Sequence, residues 1–112
     1  MLKIDTVYKK GILFVRLYGV INKSTKLEIE KTLESAINKV GIKYLLLNFD
    51  NIYYINSDMT KIIEKWSKKI AENGGKFFIC GYEKIEENYL IDINKTIFEM
   101  KDEFSAFNMI NI

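Results

Sequence analysis

The chain has 112 residues, 48% of them hydrophobic and 29% charged, and a formal net charge of +2. That length carries one domain with its own core and is too short for two ordinary ones, and so even a charge balance lacks the concentrated basic footprint that grips nucleic acid. Histidine is absent and cysteine occurs once, at Cys80, which excludes imidazole acid–base chemistry, His-ligated zinc and an intramolecular disulfide.

Ile4, Thr6 and Tyr8 alternate with Asp5 and Val7, and an apolar run covers residues 12–18. Two strands joined by a tight turn at Lys9-Lys10-Gly11 fit this pattern, with Gly19 ending the second. A helix follows. Ser24 or Thr25 can cap it, Glu28 stands where a capping box with Thr25 needs it, and Ile29, Leu33, Ala36, Ile37 and Val40 form one apolar stripe up to Gly41. Residues 42–49 read as a strand apolar on both faces, hence central in a sheet covered by helices. Asp50-Asn51 is expected to break it before residues 52–55 resume, with one of Tyr53 and Tyr54 toward the core and the other toward solvent.

Asn56-Ser57-Asp58 precedes a second helical stripe of Met59, Ile62, Ile63, Trp66 and Ile70, which Asn73-Gly74-Gly75 terminates. Residues 76–80 form the next strand, and Gly81 leads into a short helical segment carrying Ile85 and Leu90. Residues 96–100 are expected as a last strand and Asp102 onward as a last helix. The order is β-β-α-β-α-β-α-β-α, an α/β fold in a single domain over residues 1–112. Its mixed, mostly parallel sheet has about five strands, the first antiparallel, with about four helices.

Cys80 lies in an apolar strand, where a buried, inert thiol is expected. Trp66 belongs to the apolar stripe and so to the core, whereas Lys68-Lys69 reads as a solvated face. Glu83, Glu86, Glu87 and Asp92 show no spacing diagnostic of a metal site, and no Gly-rich phosphate loop or nucleophile–base pair is evident. The apolar segment 104–110 can pack on the sheet or against a second copy. No run is long enough to span a bilayer and the N-terminus lacks a signal-peptide pattern, so the cytoplasm is the expected location.

The ordered motifs carry a resemblance over nearly the whole chain. They are Leu17-Tyr18-Gly19-Val20-Ile21-Asn22, Leu45-Leu46-Leu47-Asn48-Phe49, Tyr54-Ile55-Asn56-Ser57-Asp58-Met59 and Gly74-Gly75-Lys76-Phe77-Phe78-Ile79-Cys80-Gly81, with Asp92-Ile93 and Phe98-Glu99 aligning more loosely. In these the chain resembles the STAS domain family of anti-sigma factor antagonists. The resemblance implies a STAS-type sheet and a regulatory binding protein that sequesters a serine-kinase anti-sigma factor. Phosphorylation releases that partner and a serine phosphatase resets the switch. It also implies a protein that is not an enzyme, uses no cofactor or metal, and touches neither nucleic acid directly nor membrane. Such a protein is a monomer or weak homodimer.

Carried onto this sequence, the phosphoacceptor falls on Ser57, and the partner-binding surface on Asn22, Asn56, Ser57, Asp58 and Met59. Asn56 stands in place of the motif aspartate, Asp58 in place of a small residue, Met59 in place of glycine, and Asn22 where aspartate is common. A phosphate at the start of a helix would meet unpaired N–H groups and the positive end of the helix dipole. It would add about −1.5 to −2 charges to a contact surface, while Asp58 repels it. Two readings of Ser57 remain: a phosphoacceptor, or, with Asn56, a plain helix cap. Met59 either covers the partner groove or packs in the core. The alternative function is a STAS-like scaffolding or interaction module that has lost the switch.

Overall fold

The computed structural model describes residues 1–55, 59–82 and 96–111. The expected helical segment with Ile85 and Leu90, and the acidic group Glu83, Glu86, Glu87 and Asp92, lie outside them. Strands β1 (Leu2–Lys9), β2 (Ile12–Ile21), β3 (Tyr44–Ile55), β4 (Lys76–Cys80) and β5 (Ile97–Met100) form one sheet in the order β1-β2-β3-β4-β5. Only the β1–β2 pair is antiparallel. Its turn has two residues, Lys10 (φ 52°) and Gly11 (φ 87°). Positive φ at both positions is the type I′ geometry that matches the twist of a hairpin.

Helices cover both faces. On one lie α1 (Lys26–Glu34), its π-helical continuation Ser35–Val40, and α2 (Met59–Glu72). Val15, Leu17, Leu45, Leu47, Phe77 and Ile79 meet Ile29, Leu33, Ile37, Ile63 and Ile70 there in the larger core. On the other lies α3 (Glu103–Ile110), with Ala106, Phe107 and Ile110 against Phe14, Leu46, Phe78 and Cys80. In β4, and in β3 as far as Phe49, odd positions face the first layer and even positions the second, the period of two a strand imposes. This is why Leu45-Leu46-Leu47 and Phe77-Phe78-Ile79 are apolar in succession. Cys80 and Trp66 are buried, as their sequence context implies, and Lys68 and Lys69 are exposed. Asp102 caps α3, its Oδ1 accepting from the Ser105 N–H and Oγ at 2.8 Å each.

Four local expectations need correction. Strand β2 does not stop at Gly19 but runs on to Ile21. Gly19 has φ +117°, and a Cβ there would run into the Met1 carbonyl, whose oxygen accepts from Val20 N–H at 3.1 Å. The glycine admits a close crossing of the N-terminus, not a departure. The cap of α1 is also displaced. Asn22 Oδ1 accepts from the N–H of Ser24 and Thr25 at 3.0 Å, while Thr25 Oγ1 accepts from Asn22 N–H at 2.8 Å. That is the reciprocal logic of a capping box, set on Asn22 and Thr25 instead of Thr25 and Glu28.

Val40 leaves the apolar stripe and is 68% exposed. The Gly41 N–H bonds back to Ala36, five residues away, and the wider turn rotates Val40 off the face that Ile37 occupies. Finally, β3 is unbroken through Asp50-Asn51. Two bulges interrupt its pairing with β2: the one between Arg16 and Tyr18 takes up the extra residue ahead of Asn51, and the one between Gly19 and Val20 takes up Tyr53.

Candidate functional site

The bulges shape the end of the sheet that carries the candidate site. Opposite Arg16 and Tyr18 stand Asn48 and Asn51, and opposite Gly19 and Val20 stand Ile52 and Tyr54. Each time β3 spends one residue more than β2, so burial in its distal half repeats every third residue: Phe49, Ile52 and Ile55 point inward. The residues between them point out. Tyr53 is therefore 85% exposed and Tyr54 58%, and the expected division of the two tyrosines between core and solvent does not occur. Strand β4 ends opposite Asn48, so this aromatic stretch has β2 on one side and no β4 pairing on the other. The buried Phe49 and Tyr82 rings meet edge to face, 5.0 Å between centroids, where β4 turns away.

Ile21 pairs with Ile55, so β2 and β3 finish level. Asn22 follows one strand end and Ile55 closes the other, at the carboxyl end where open α/β sheets present their sites. Asn56, Ser57 and Asp58, the connection from β3 to α2, lie outside the described residues. Asn22 is half-buried, and its side-chain oxygen is engaged by the Ser24 and Thr25 N–H groups and by Ser24 Oγ at 2.9 Å. It shapes this rim by holding the turn that exposes Lys23 and Ser24.

Met59 corrects an expectation. It is 0% exposed and packs in the larger core with Ile21, Ile55 and Ile63, so its side chain offers no surface to a partner. The flexible thioether fills the space where helix and strand end meet, anchoring the start of α2 directly after the connection. Of the two readings of Met59, core packing holds.

A polar cluster that sequence reasoning missed ties the opposite face together. Arg16 grips Glu103 with both ends of its fork, Nε to Oε2 at 2.9 Å and Nη2 to Oε1 at 2.8 Å. Asn48 Nδ2 donates to the same Oε2 at 2.9 Å, and its own Oδ1 accepts from the Asp50 N–H at 2.8 Å. The guanidinium holds the Glu103 carboxyl below its usual range, with the Asn48 amide adding to the effect and burial opposing it. The one signal available was Arg16 itself, a charge interrupting an apolar strand. Its partner lies 87 residues away, beyond any periodicity argument.

Among the described residues no group of three or more His, Cys, Asp or Glu could hold a metal ion, and no helix is long and apolar enough to cross a membrane. The site is thus a rim of a mixed sheet built from a capped turn, a bulged aromatic strand and a helix start: the outline of a docking module. A STAS domain matches residues 3–103, and the chain belongs to the STAS domain family. It is 22% identical over 111 residues to an anti-sigma F factor antagonist of Paenibacillus polymyxa, covering 99% of this chain and 86% of that one. Its fold is similar to that of an anti-sigma factor antagonist from Mycobacterium paratuberculosis, with TM-score 0.82, 15% identity, and coverage of 100% of this chain and 96% of that one. It is also similar to the phosphorylated form of the Bacillus cell fate determinant SpoIIAA, with TM-score 0.70, 11% identity, and coverage of 98% and 99%. At such identities the structural likenesses establish the fold alone.

Proposed function

We propose that this protein is an anti-sigma factor antagonist. In this reading it sequesters a serine-kinase anti-sigma factor, is released when that kinase phosphorylates Ser57, and is reset by a serine phosphatase. The observation that carries the reading is the family match across residues 3–103, which takes in Ser57. The chain is the substrate of this chemistry and supplies no catalytic residue; because the kinase uses ATP, the reading places the chain in the cytoplasm.

The partner-binding surface is Asn22, Asn56, Ser57 and Asp58, extended by Tyr53 and Tyr54. Exposed tyrosines next to a polar switch suit an anchor: they give large contact area for little lost side-chain freedom. A phosphate arriving beside them would add about −1.5 to −2 charges that the partner must desolvate. Asp58 already places one negative charge there, so a partner matched to this chain carries cationic or hydrogen-bonding groups opposite that position.

The test is intact-mass analysis after incubation with ATP and the kinase-type anti-sigma proteins of the same organism, with a pull-down in parallel. One added phosphate, mapped to Ser57 and absent in Ser57→Ala, is the expected result. Binding without transfer would instead support an interaction module that has lost the switch, the reading that Asn56, Asp58 and Met59 favour by departing from the family motif. The absence of both binding and transfer would overturn the antagonist reading and point to a different partner or a scaffolding role.

A further inference from the structure

The two faces of the sheet are covered to very different depths. Seven residues of α2 are buried, whereas Ala106 alone is buried in α3. Phe104 and Met109, two of the largest apolar side chains of α3, are exposed. With eight residues, α3 is also shorter than the roughly 12–15 residues an isolated helix needs to persist in water. It is helical because the sheet holds it.

The surface it covers is apolar. Phe14, Leu46, Phe78 and Cys80 form one cluster with Ala106, and Phe107 and Ile110 pack at its margin. Among the described residues, the hydrogen bonds that join α3 to the sheet all end on one side chain. Glu103 accepts from Arg16 Nε and Nη2 and from Asn48 Nδ2 at 2.8–2.9 Å. This clasp sits in the first turn, directly after the bend at Lys101-Asp102 that follows β5. Asp102 caps the helix through Ser105, a bond within α3 that survives departure from the sheet. Few buried apolar contacts and a single polar attachment define a segment of low local stability.

We propose that α3 is a latched lid. It opens as a unit about Lys101-Asp102 while the sheet and the larger core stay folded, and the Arg16–Glu103–Asn48 clasp sets how much of the population is closed. Opening uncovers Phe14, Leu46, Phe78 and the Cys80 thiol. The device lies on the face away from α1 and α2 and does not depend on the role assigned to Ser57.

The chain's one thiol reads the lid directly, because Cys80 is 0% exposed when the lid is closed. In the open form its thiolate attacks the disulfide of dithiobis(nitrobenzoate); a mixed disulfide forms and thionitrobenzoate leaves, followed by absorbance. With reclosing faster than this reaction, the rate follows the open population. In wild type the rate should rise far less steeply with urea than the unfolded fraction does, because little surface is exposed on opening. Glu103→Gln should speed labelling about fivefold to thirtyfold. Met59→Ala, which weakens the other core, should leave the rate in water within about twofold of wild type. A urea dependence as steep as that of global unfolding, a rate indifferent to Glu103→Gln, or an acceleration by Met59→Ala that matches its loss of global stability would overturn the proposal.

Discussion

Replacing Glu103 by glutamine removes the carboxylate that joins β2, β3 and α3 while keeping its shape. The wild-type group accepts from Arg16 Nε, Arg16 Nη2 and Asn48 Nδ2 at 2.8–2.9 Å. Glutamine has one acceptor oxygen, and its amide nitrogen faces a donor it cannot satisfy. Hydrogen bonds to a charged group contribute about 1.5–3 kcal/mol, but both side chains here keep part of their surface in water, so an expected loss of about 1–2 kcal/mol is reasonable. For a domain this size that lowers Tm by roughly 5–10 °C. The sign of the pH dependence follows from the depressed carboxyl. Its contribution is full above the ordinary glutamate value of 4.5 and fades as pH falls through the lower value it has when folded. Urea unfolding of wild type, Glu103→Gln, Arg16→Gln and the double variant at neutral and acidic pH isolates the pair. A coupling of about 1 kcal/mol near pH 7 that vanishes in acid is expected. A coupling below about 0.3 kcal/mol, or one indifferent to pH, would refute the reasoning.

Other substitutions test other parts of the structure. Tyr53→Ala should leave stability within about 0.5 kcal/mol of wild type yet weaken binding to the kinase-type partner at least about tenfold, checked by calorimetry on both counts. Met59→Ala should cost about 2–4 kcal/mol in urea unfolding because it opens a cavity under α2; a loss under about 0.5 kcal/mol would place Met59 outside the core. Lys10→Asn should raise stability by about 0.5–1 kcal/mol, since asparagine tolerates the positive φ that the turn demands of residue 10.

Much of the fold could be read in the sequence because its elements are strongly patterned. The hairpin, the doubly apolar β3 and β4, and the stripe of α2 follow from local period and turn chemistry, and with them the strand directions. What escaped were features where the period itself changes. The bulges in β3 replace alternation by a repeat of three, visible as Phe49, Ile52 and Ile55, and Asp50-Asn51 looked like a break because polar residues at two adjacent positions violate a period of two. The π-helical turn likewise moved Val40 off a stripe that a regular helix would have kept. Of the candidate site, Asn22 holds the turn that follows β2, and Met59 proved to be core. The Arg16–Glu103–Asn48 cluster rests on a contact between distant segments, which no local pattern encodes.

The most direct test of the function is calorimetric titration of the kinase-type anti-sigma factor into wild type, Ser57→Ala and Ser57→Asp. An antagonist with its switch at Ser57 should bind as wild type and as Ser57→Ala with similar affinity, and at least about tenfold more weakly as Ser57→Asp. Equal affinity for all three, or none for any, would contradict it.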